Sequence, residues 1–238
     1  MLPVSLCMIV KNEEKNLEKC LQSVRDHVAE IVIVDTGSTD NTLEIIKKYA
    51  DKYEVYTGCN DEEGKIASFC KARERSYELA SHDWVLWMDG DDEIVFYKEL
   101  EEIVAEADYD RSKPVSFLFP YEYAHDDKGN PIVVHYRERL SYPKKEFHWE
   151  NPVHEVLIGS PGSQLYVSDN VKYVHRRQNT GKSTDPMRNF RIIKKYVEET
   201  NESDPRQLYY LGLEYGNIGD SDNAILTLKK YVEKTGWD

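Results

Sequence analysis

Residues 84–93 read Trp-Val-Leu-Trp-Met-Asp-Gly-Asp-Asp-Glu. An apolar run, typical of a strand that is buried on both faces, ends abruptly in four carboxylates and one glycine. Carboxylates this close raise one another's pKa, so the cluster is unfavourable unless a cation neutralises it. Carboxylate oxygens are the ligands that Mg2+ and Mn2+ prefer. The stretch therefore predicts a divalent-cation site at the end of a buried strand, and the alternative is a solvated acidic turn.

The composition disfavours several classes of protein. The chain of 238 residues has a net charge of -13, which argues against a nucleic-acid partner because that affinity is largely electrostatic. No segment approaches the roughly 20 apolar residues of a membrane-spanning helix, and the N-terminal apolar run lacks the features of a signal peptide. The four cysteines form no Cys-x-x-Cys pair. We therefore expect a cytoplasmic protein with reduced cysteines, and peripheral contact with a membrane stays open.

The first hundred residues alternate between strand and helix patterns. Strands are expected at residues 4–10, 31–34, 54–57 and 84–88, and helices at residues 12–27, from about 41 to 49, and at 66–80. Repeated β-α-β units predict an α/β fold with a parallel, doubly wound sheet. In such sheets ligands bind beyond the carboxyl ends of the strands. Asp35, which ends the second strand, and the cluster that begins at Asp89 should therefore lie on one edge of the sheet.

The pattern changes in the second half of the chain. A helix is expected at residues 98–107, strands are expected at residues 115–123, 131–140, 153–158 and 171–175, and an irregular stretch is expected at 141–152. From residue 187 the pattern is all helical, and the Leu-Gly pair at Gly212 followed by Tyr215 resembles one tetratricopeptide unit. We expect an α/β domain at residues 1–186 and a helical region at residues 187–238.

Four segments in order carry a resemblance to a known family. They are Val4 through Glu14, Ile33 through Asp40, Lys71-Ala72-Arg73, and Trp84 through Glu93. Together they are similar to the family 2 glycosyltransferases, whose GT-A fold has a Rossmann-like, mostly parallel sheet with flanking helices. Within that family the chain is most similar to bacterial and viral members with appended tetratricopeptide repeats. The resemblance implies that residues 1–186 form the domain that binds the nucleotide sugar.

A later signature of those members is matched by Val153-His154-Glu155 and by Val174-His175. One departure is Thr36, which stands where the second strand often ends in a second acid. This replacement bears on how the nucleobase is recognised.

The resemblance implies metal-dependent, inverting transfer of a hexose from a nucleotide sugar to a hydroxyl group. Mn2+ or Mg2+ is the expected cofactor, because a divalent cation stabilises the departing nucleoside diphosphate. Asp91 is the first candidate ligand, and Asp89 and His175 complete the expected set. Asp89 is alternatively expected on the ribose. The alternative for His175 is a histidine with satisfied hydrogen bonds at the end of a strand.

The other donor contacts implied by the resemblance are Val10, Glu13, Asp35 and Arg73. Val10 and Glu13 would frame the nucleobase pocket. Asp35 would accept hydrogen bonds from uracil or ribose, and Arg73 would reach a phosphate. The simpler alternatives are a helix-capping Asp35, a first-turn helix acid at Glu13 and a solvated surface charge at Arg73. The expected donor is a uridine diphosphate sugar.

The acceptor hydroxyl loses its proton as it attacks the sugar, and a carboxylate or imidazole can take it. Glu155 is the candidate base and His154 is its rival. Because both lie on a predicted strand, their side chains should point to opposite faces, so only one of them faces the cleft. The acceptor is a glycan, a lipid-linked sugar or a protein side chain, and neither the acceptor nor the oligomeric state follows from the sequence.

Two further features have paired interpretations. Trp149 either offers a flat face to a sugar ring or fills the core. The basic segment Arg176–Ser183 is either a lid that closes over the diphosphate or a solvated linker.

Two other functions are weighed against transfer of a sugar. A nucleotidyltransferase normally has a glycine- and basic-rich loop after its first strand, where this chain has Lys11-Asn12-Glu13-Glu14. A non-catalytic interaction protein would use the repeat and keep only a vestigial nucleotide-binding domain. The presence of Asp89, Asp91 and a candidate base argues against such degeneration.

Overall fold

The computed structural model describes residues 2–176 and 185–234. Eleven strands are present in those residues: β1 Val4–Val10, β2 Glu30–Asp35, β3 Lys52–Val55, β4 Trp84–Asp89, β5 Asp92–Phe96, β6 Val115–His125, β7 Pro131–Tyr142, β8 Phe147–Glu150, β9 Val156–Gly159, β10 Gln164–Val167 and β11 Val171–His175. The helices of the same residues are α1 Leu17–Val24, α2 Thr42–Tyr49, α3 Phe69–Leu79, α4 Leu100–Glu106, α5 Arg188–Glu199, α6 Pro205–Asn217 and α7 Ser221–Glu233.

The first four strands confirm the predicted parallel arrangement. β1 lies between β2 and β4 and pairs in parallel with both, and β3 pairs with the other side of β2. Every residue of β2 is buried, which explains the continuous apolar run, because a strand covered on both faces has no solvent side. In this register Val10 lies beside Asp35, and Ile9 lies beside Asp89. The carboxyl ends of β1, β2 and β4 therefore share one edge of the sheet, as predicted.

The sheet continues beyond β4 with mixed pairing. β7 pairs antiparallel with β4 and with β6, and β11 pairs in parallel with β6. β5 starts at Asp92, directly after the acidic turn, and pairs antiparallel with β11. This pairing sets Asp92 beside His175. The strand order β3-β2-β1-β4-β7-β6-β11-β5 thus returns a residue from late in the chain to the edge where β4 ends.

One predicted strand is wrong in its first half. We expected a strand at residues 153–158, but β9 begins at Val156, and His154 lies in a loop with a φ of 53°. That left-handed backbone cannot continue a strand. The stretch expected to be irregular contains β8, which pairs with β9 as a separate two-stranded sheet. Whether such a short segment forms a strand depends on packing against its partner strand more than on its own hydrophobic pattern.

Hydrophobic packing joins the C-terminal helices to the loop that precedes β9. Val153 of that loop is buried in one cluster with the apolar faces of α5 and α6, and the partly buried Ile66 and Phe69 pack against the same cluster. Gly212 lets α6 and α7 approach closely, because a Cβ there would lie 2.6 Å from Cγ of Leu228. Among the described helices, none is sufficiently long and apolar to cross a bilayer.

A buried carboxylate connects β2 with β1 and with the loop before β4. Glu30, which is 6% exposed, accepts hydrogen bonds from the Ser5 hydroxyl and from the amide and hydroxyl of Ser81. Burial disfavours the charged form, but these hydrogen bonds outweigh it and lower the pKa of Glu30 from 4.5 to about 2. A carboxyl group whose pKa is lower in the folded state than in the unfolded state stabilises the fold at pH values above its pKa in the unfolded state. That stabilisation is lost as the pH falls through the folded pKa.

We predict that Glu30→Gln lowers the free energy of unfolding at pH 7 by on the order of 2 kcal/mol and that the difference from wild type narrows between pH 4.5 and 3. The physical reason is that the amide resembles the protonated carboxyl, which the wild-type protein acquires only in acid. Urea denaturation at several pH values measures both quantities. Glu44→Gln, at an exposed position, is the matched control. A constant difference across this pH range would contradict the assignment.

Candidate active site

The acidic turn after β4 lies against the loop after β1. Gly90 makes this contact possible, because a Cβ on it would lie 3.0 Å from Cγ of Glu13 and 3.1 Å from Cγ1 of Val10. Such distances are tighter than ordinary packing allows. The two residues expected to frame a nucleobase pocket therefore lie directly against the acidic cluster.

Asp35 lies at the end of β2 on the same edge, with 1% of its surface exposed. Its Oδ1 accepts hydrogen bonds from the amides of Gly37 and Ser38 and from the Ser38 hydroxyl, at 3.1, 2.9 and 2.7 Å. The carboxylate thus organises the turn that follows β2. Thr36, which replaces the second acid of the family pattern, donates its hydroxyl to the Val10 carbonyl at 3.2 Å. Both side chains shape the edge of the site, and the contact of Asp35 with a donor stays a prediction.

Asp89 is paired with two arginines. Nη2 of Arg73 donates to Oδ1 of Asp89 at 2.8 Å, and Nη1 of Arg139 lies 3.9 Å from Oδ2. Burial disfavours the charged carboxylate, but the positive charges of Arg73 and Arg139 outweigh it and lower the pKa of Asp89 to about 2. Asp89 is therefore ionised throughout the physiological pH range.

Arg73 bridges two carboxylates that are far apart in the sequence. Its Nε donates to Oε1 of Glu155 at 2.7 Å, while its Nη2 holds Asp89. The guanidinium lies over the rings of both Trp87 and Trp149, at 4.4 and 4.9 Å from their centroids. Arg73 is only 5% exposed, so the alternative of a solvated surface charge is wrong. The candidate base Glu155 is thereby fixed next to the end of β4.

Trp149 fills the core. It is 3% exposed, and its ring packs edge-on against Tyr77 and Trp87. The Arg73 guanidinium lies over its ring, 4.9 Å from the centroid. The interpretation of Trp149 as a platform for a sugar ring is therefore wrong, and the core interpretation describes its surroundings.

His154 and Glu155 contact different parts of the protein. The His154 ring stacks on Tyr210 of α6, with centroids 4.0 Å apart, and its carbonyl accepts a hydrogen bond from Arg206. Burial lowers the pKa of His154, so the imidazole is neutral at pH 7. Glu155 instead faces Arg73. The two side chains do diverge, but the left-handed loop at His154 separates them rather than the alternation of a strand.

A second cluster consists of Asp91, Asp92 and His175, whose candidate ligand atoms all lie within 4.8 Å of one another. Nδ1 of His175 lies 3.8 Å from Oδ1 of Asp91 and 3.2 Å from Oδ1 of Asp92. Burial raises the pKa of Asp91 to about 6; the positive charge of His175 opposes this, and the negative charges of Asp89, Asp92 and Glu13 add to it. A cation at this position would relieve that repulsion.

This cluster differs from the expected ligand set in one member. Asp91 and His175 lie together, as expected, and Asp92 is the third member of their cluster. Asp89 is not part of this cluster and instead accepts a hydrogen bond from Arg73. The two carboxylates suit Mn2+ or Mg2+, and the imidazole favours a transition metal such as Mn2+ over Mg2+. The set therefore fits the cation that the acidic turn predicted, although the role of each residue toward a metal stays a prediction.

Arg139, like Asp92, is a residue of the site that was not expected from the sequence. It lies on β7 with 0% of its surface exposed, beneath the acidic turn. Its Nη2 is 3.3 Å from Oδ2 of Asp92, and its guanidinium lies 3.8 Å from the ring centroid of Trp87. The sequence feature that could have indicated Arg139 is its position two residues after Arg137 on a predicted strand, where both side chains share one face. That pattern alone is typical of a solvated strand face, so only the pairing of β7 with β4 reveals the burial.

Two features border the site. The backbone amide of Arg176 donates to the Asp91 carbonyl at 2.9 Å, but residues 177–183 of the predicted lid lie outside the described residues. A cavity of about 390 Å³ lies between α5 and the segment from residue 58 to residue 71, and Asn151 and Pro152 form part of its wall. The cavity reaches Cys70, one helical turn before Arg73.

We predict that Arg139→Met lowers the free energy of unfolding by about 3–5 kcal/mol, because it leaves the buried Asp92 without its counter-charge. The double variant Arg139→Met/Asp92→Asn should recover part of that loss, since it removes both charges. Urea denaturation at pH 7 measures the three free energies. Arg137→Met, on the same strand but partly exposed, is the control and should cost less than about 1 kcal/mol. Equal effects at the two arginines would contradict a buried ion pair.

Comparison with known proteins relates this geometry to a family. The family described as "Glycosyl transferase family 2" matches residues 5–166, which include the acidic turn, Asp35, Arg73 and Glu155. Glycosyltransferase SunS, derived from the SPbeta prophage of Bacillus subtilis, is 27% identical over 97% of this chain and 53% of its own length. A TPR repeat-containing protein of Synechococcus elongatus is 29% identical over 67% of this chain and 36% of its own length.

The chain thus spans about a third to a half of the length of these two curated relatives. Among solved structures, residues 1–349 of S. aureus TarS in complex with UDP-GlcNAc align with a TM-score of 0.56. That alignment covers 98% of this chain and 81% of the TarS 1–349 chain at 14% sequence identity. It supports the α/β fold with flanking helices that the sequence predicted.

Proposed function

The chain belongs to glycosyl transferase family 2, and we propose that it transfers a hexose from a nucleotide sugar to a hydroxyl group of a glycan, lipid or protein. The observation that carries this proposal is the meeting of Asp89, Asp91, His175 and Glu155 on the edge where β1, β2 and β4 end. Ligands of parallel α/β sheets bind at such an edge. We place the reaction in the cytoplasm.

A uridine diphosphate sugar is the proposed donor. The structural neighbour TarS was solved with UDP-GlcNAc, which supports a uridine nucleotide for a protein of the same fold. The base and ribose would lie against Val10, Glu13 and Asp35, since these residues surround the carboxyl ends of β1 and β2. The diphosphate would then lie toward Asp91, next to the acidic turn.

Mn2+ or Mg2+ is the proposed cofactor, held by the Asp91 carboxylate and the His175 imidazole. When bound, such a cation stabilises negative charge on the departing diphosphate as a Lewis acid. Asp89 remains on Arg73 and faces the ribose in this proposal. Because Arg73 is committed to Asp89 and Glu155, we assign it to the positioning of these two carboxylates rather than to a phosphate.

Glu155 is the proposed base. Arg73 holds its Oε1 at 2.7 Å, which fixes the carboxylate close to Asp89. The inverting reaction of the family needs one base that accepts the proton of the attacking hydroxyl. His154 is the weaker candidate, because its ring is stacked on Tyr210 and lies among side chains of α6. The acceptor would approach from the side of α5, where the cavity of about 390 Å³ lies near Cys70.

We predict that UDP binds in the presence of Mn2+ and that Asp91→Asn weakens this binding at least tenfold, because the variant loses the first ligand of the cation. Isothermal titration with UDP, with and without Mn2+, measures both affinities, and circular dichroism checks the fold. Asp127→Asn, in the exposed hairpin turn, should leave binding unchanged. If the affinity for UDP is the same with and without Mn2+, the proposed metal dependence is wrong. If UDP does not bind at all, a non-catalytic module is favoured.

We predict that Glu155→Gln lowers turnover by about 10²–10⁴-fold, the usual contribution of a general base, while the affinity for UDP changes only slightly. The release of UDP from a panel of nucleotide sugars measures turnover and also identifies the sugar. His154→Gln should reduce the rate far less. The opposite ranking of the two variants would assign the base to His154.

A further inference from the structure

Asp92 differs from its neighbour Asp91 although both belong to the same three-residue cluster. The side chain of Asp91 keeps 30% of its surface exposed, whereas that of Asp92 has 0% exposed. A ligand of a cation that arrives with a nucleotide must be reachable from the cleft. The difference in burial therefore separates the two carboxylates in function.

Both oxygens of Asp92 are already engaged by protein groups. Oδ1 accepts a hydrogen bond from the Tyr121 hydroxyl at 2.9 Å and faces Nδ1 of His175 at 3.2 Å. Oδ2 faces Nη2 of Arg139 at 3.3 Å. Because Oδ1 accepts from Tyr121 and Oδ2 faces the Arg139 donor, the hydrogen bond between Oδ1 and His175 assigns the donating proton to Nδ1 of the imidazole.

The His175 ring is held on its sides as well. Tyr123 lies parallel to it, with centroids 5.3 Å apart and an interplanar angle of 6°. Tyr121 meets it edge-on at 6.1 Å. Both tyrosines come from β6, which pairs with β11 and so places them beside the histidine. The orientation of the imidazole is therefore determined by two rings and one hydrogen bond.

We propose that Asp92 is a positioning residue and not a metal ligand: it binds Nδ1 of His175 and thereby directs Nε2, together with the Asp91 carboxylate, to the divalent cation. Arg139 and Tyr121 fix Asp92 in turn. A histidine that donates one ring nitrogen to a carboxylate presents the other as a ligand of increased basicity. This inference rests on the proposed function only in requiring a divalent cation at the site.

A crystal structure with Mn2+ and UDP tests the assignment directly. We expect Asp91 and Nε2 of His175 within coordination distance of the cation. Both oxygens of Asp92 should keep their hydrogen bonds with Tyr121, Arg139 and His175. Coordination of Mn2+ by Asp92 or by Nδ1 of His175 would overturn the proposal.

The affinity for Mn2+ in the presence of UDP gives a solution measurement, read from the electron paramagnetic resonance signal of free Mn2+. A positioning carboxylate contributes about 10–100-fold to metal affinity, so Asp92→Ala should weaken binding by that factor. Asp92→Asn keeps an oxygen that can accept a hydrogen bond from His175, so its affinity for Mn2+ should be close to that of the wild type. Asp127→Asn should leave the affinity unchanged. If Asp92→Asn weakens binding as strongly as Asp91→Asn, Asp92 acts as a ligand.

A third measurement needs no metal. Nitrogen-15 spectra of His175 in the metal-free protein at pH 9 should show the neutral tautomer with its proton on Nδ1, and Asp92→Ala should shift the population toward the other tautomer. A wild-type proton on Nε2 would overturn the proposal. Because this measurement does not involve Mn2+, it tests whether Asp92 sets the tautomer of His175 even if the protein binds no cation and the proposed metal dependence is wrong.

Discussion

Two buried guanidinium groups make the acidic edge of this sheet possible. Arg73 pairs with Asp89 and Glu155, and Arg139 pairs with Asp92 and approaches Asp89. Carboxylates crowded at the end of one strand would otherwise repel one another and take up protons. A buried charge without a partner costs several kcal/mol, so each arginine and its carboxylates must be placed together. The remaining Asp91 is left with a raised pKa, and it is there that we propose the cation.

The mixed half of the sheet supplies these partners. β7 pairs with β4 and carries Arg139 beneath the acidic turn, while β5 and β11 pair and bring His175 to Asp92. On the other side, α3 presents Arg73, and the loop before β9 presents Glu155. That loop is in turn packed against α5 and α6 through Val153 and stacked on α6 through His154. The C-terminal helices therefore help to set the position of the candidate base.

Much of the fold could be predicted from periodicity. The buried runs that became β1, β2 and β4 were recognised because a strand covered on both faces is apolar throughout. β5, β8 and β10 were missed, since each is short and owes its pairing to a neighbour. The loop at His154 was taken for strand because a left-handed residue leaves no trace in the apolar pattern. In the site, Asp91 and His175 were expected together, whereas Asp92 was passed over within its own cluster.

The sequence by itself determined the β-α-β order, the acidic turn and the shared edge of Asp35 and Asp89, because local periodicity and the direction of parallel strands suffice for these. Only the tertiary structure decided which carboxylate faces an arginine and which faces the cleft. Arg73 was expected on a phosphate or in solvent, and Arg139 had the pattern of an ordinary surface charge, yet both are buried. Their roles depend on partners between 16 and 82 residues away along the chain. Contacts over such separations follow from the packing of strands and helices, which no local pattern encodes.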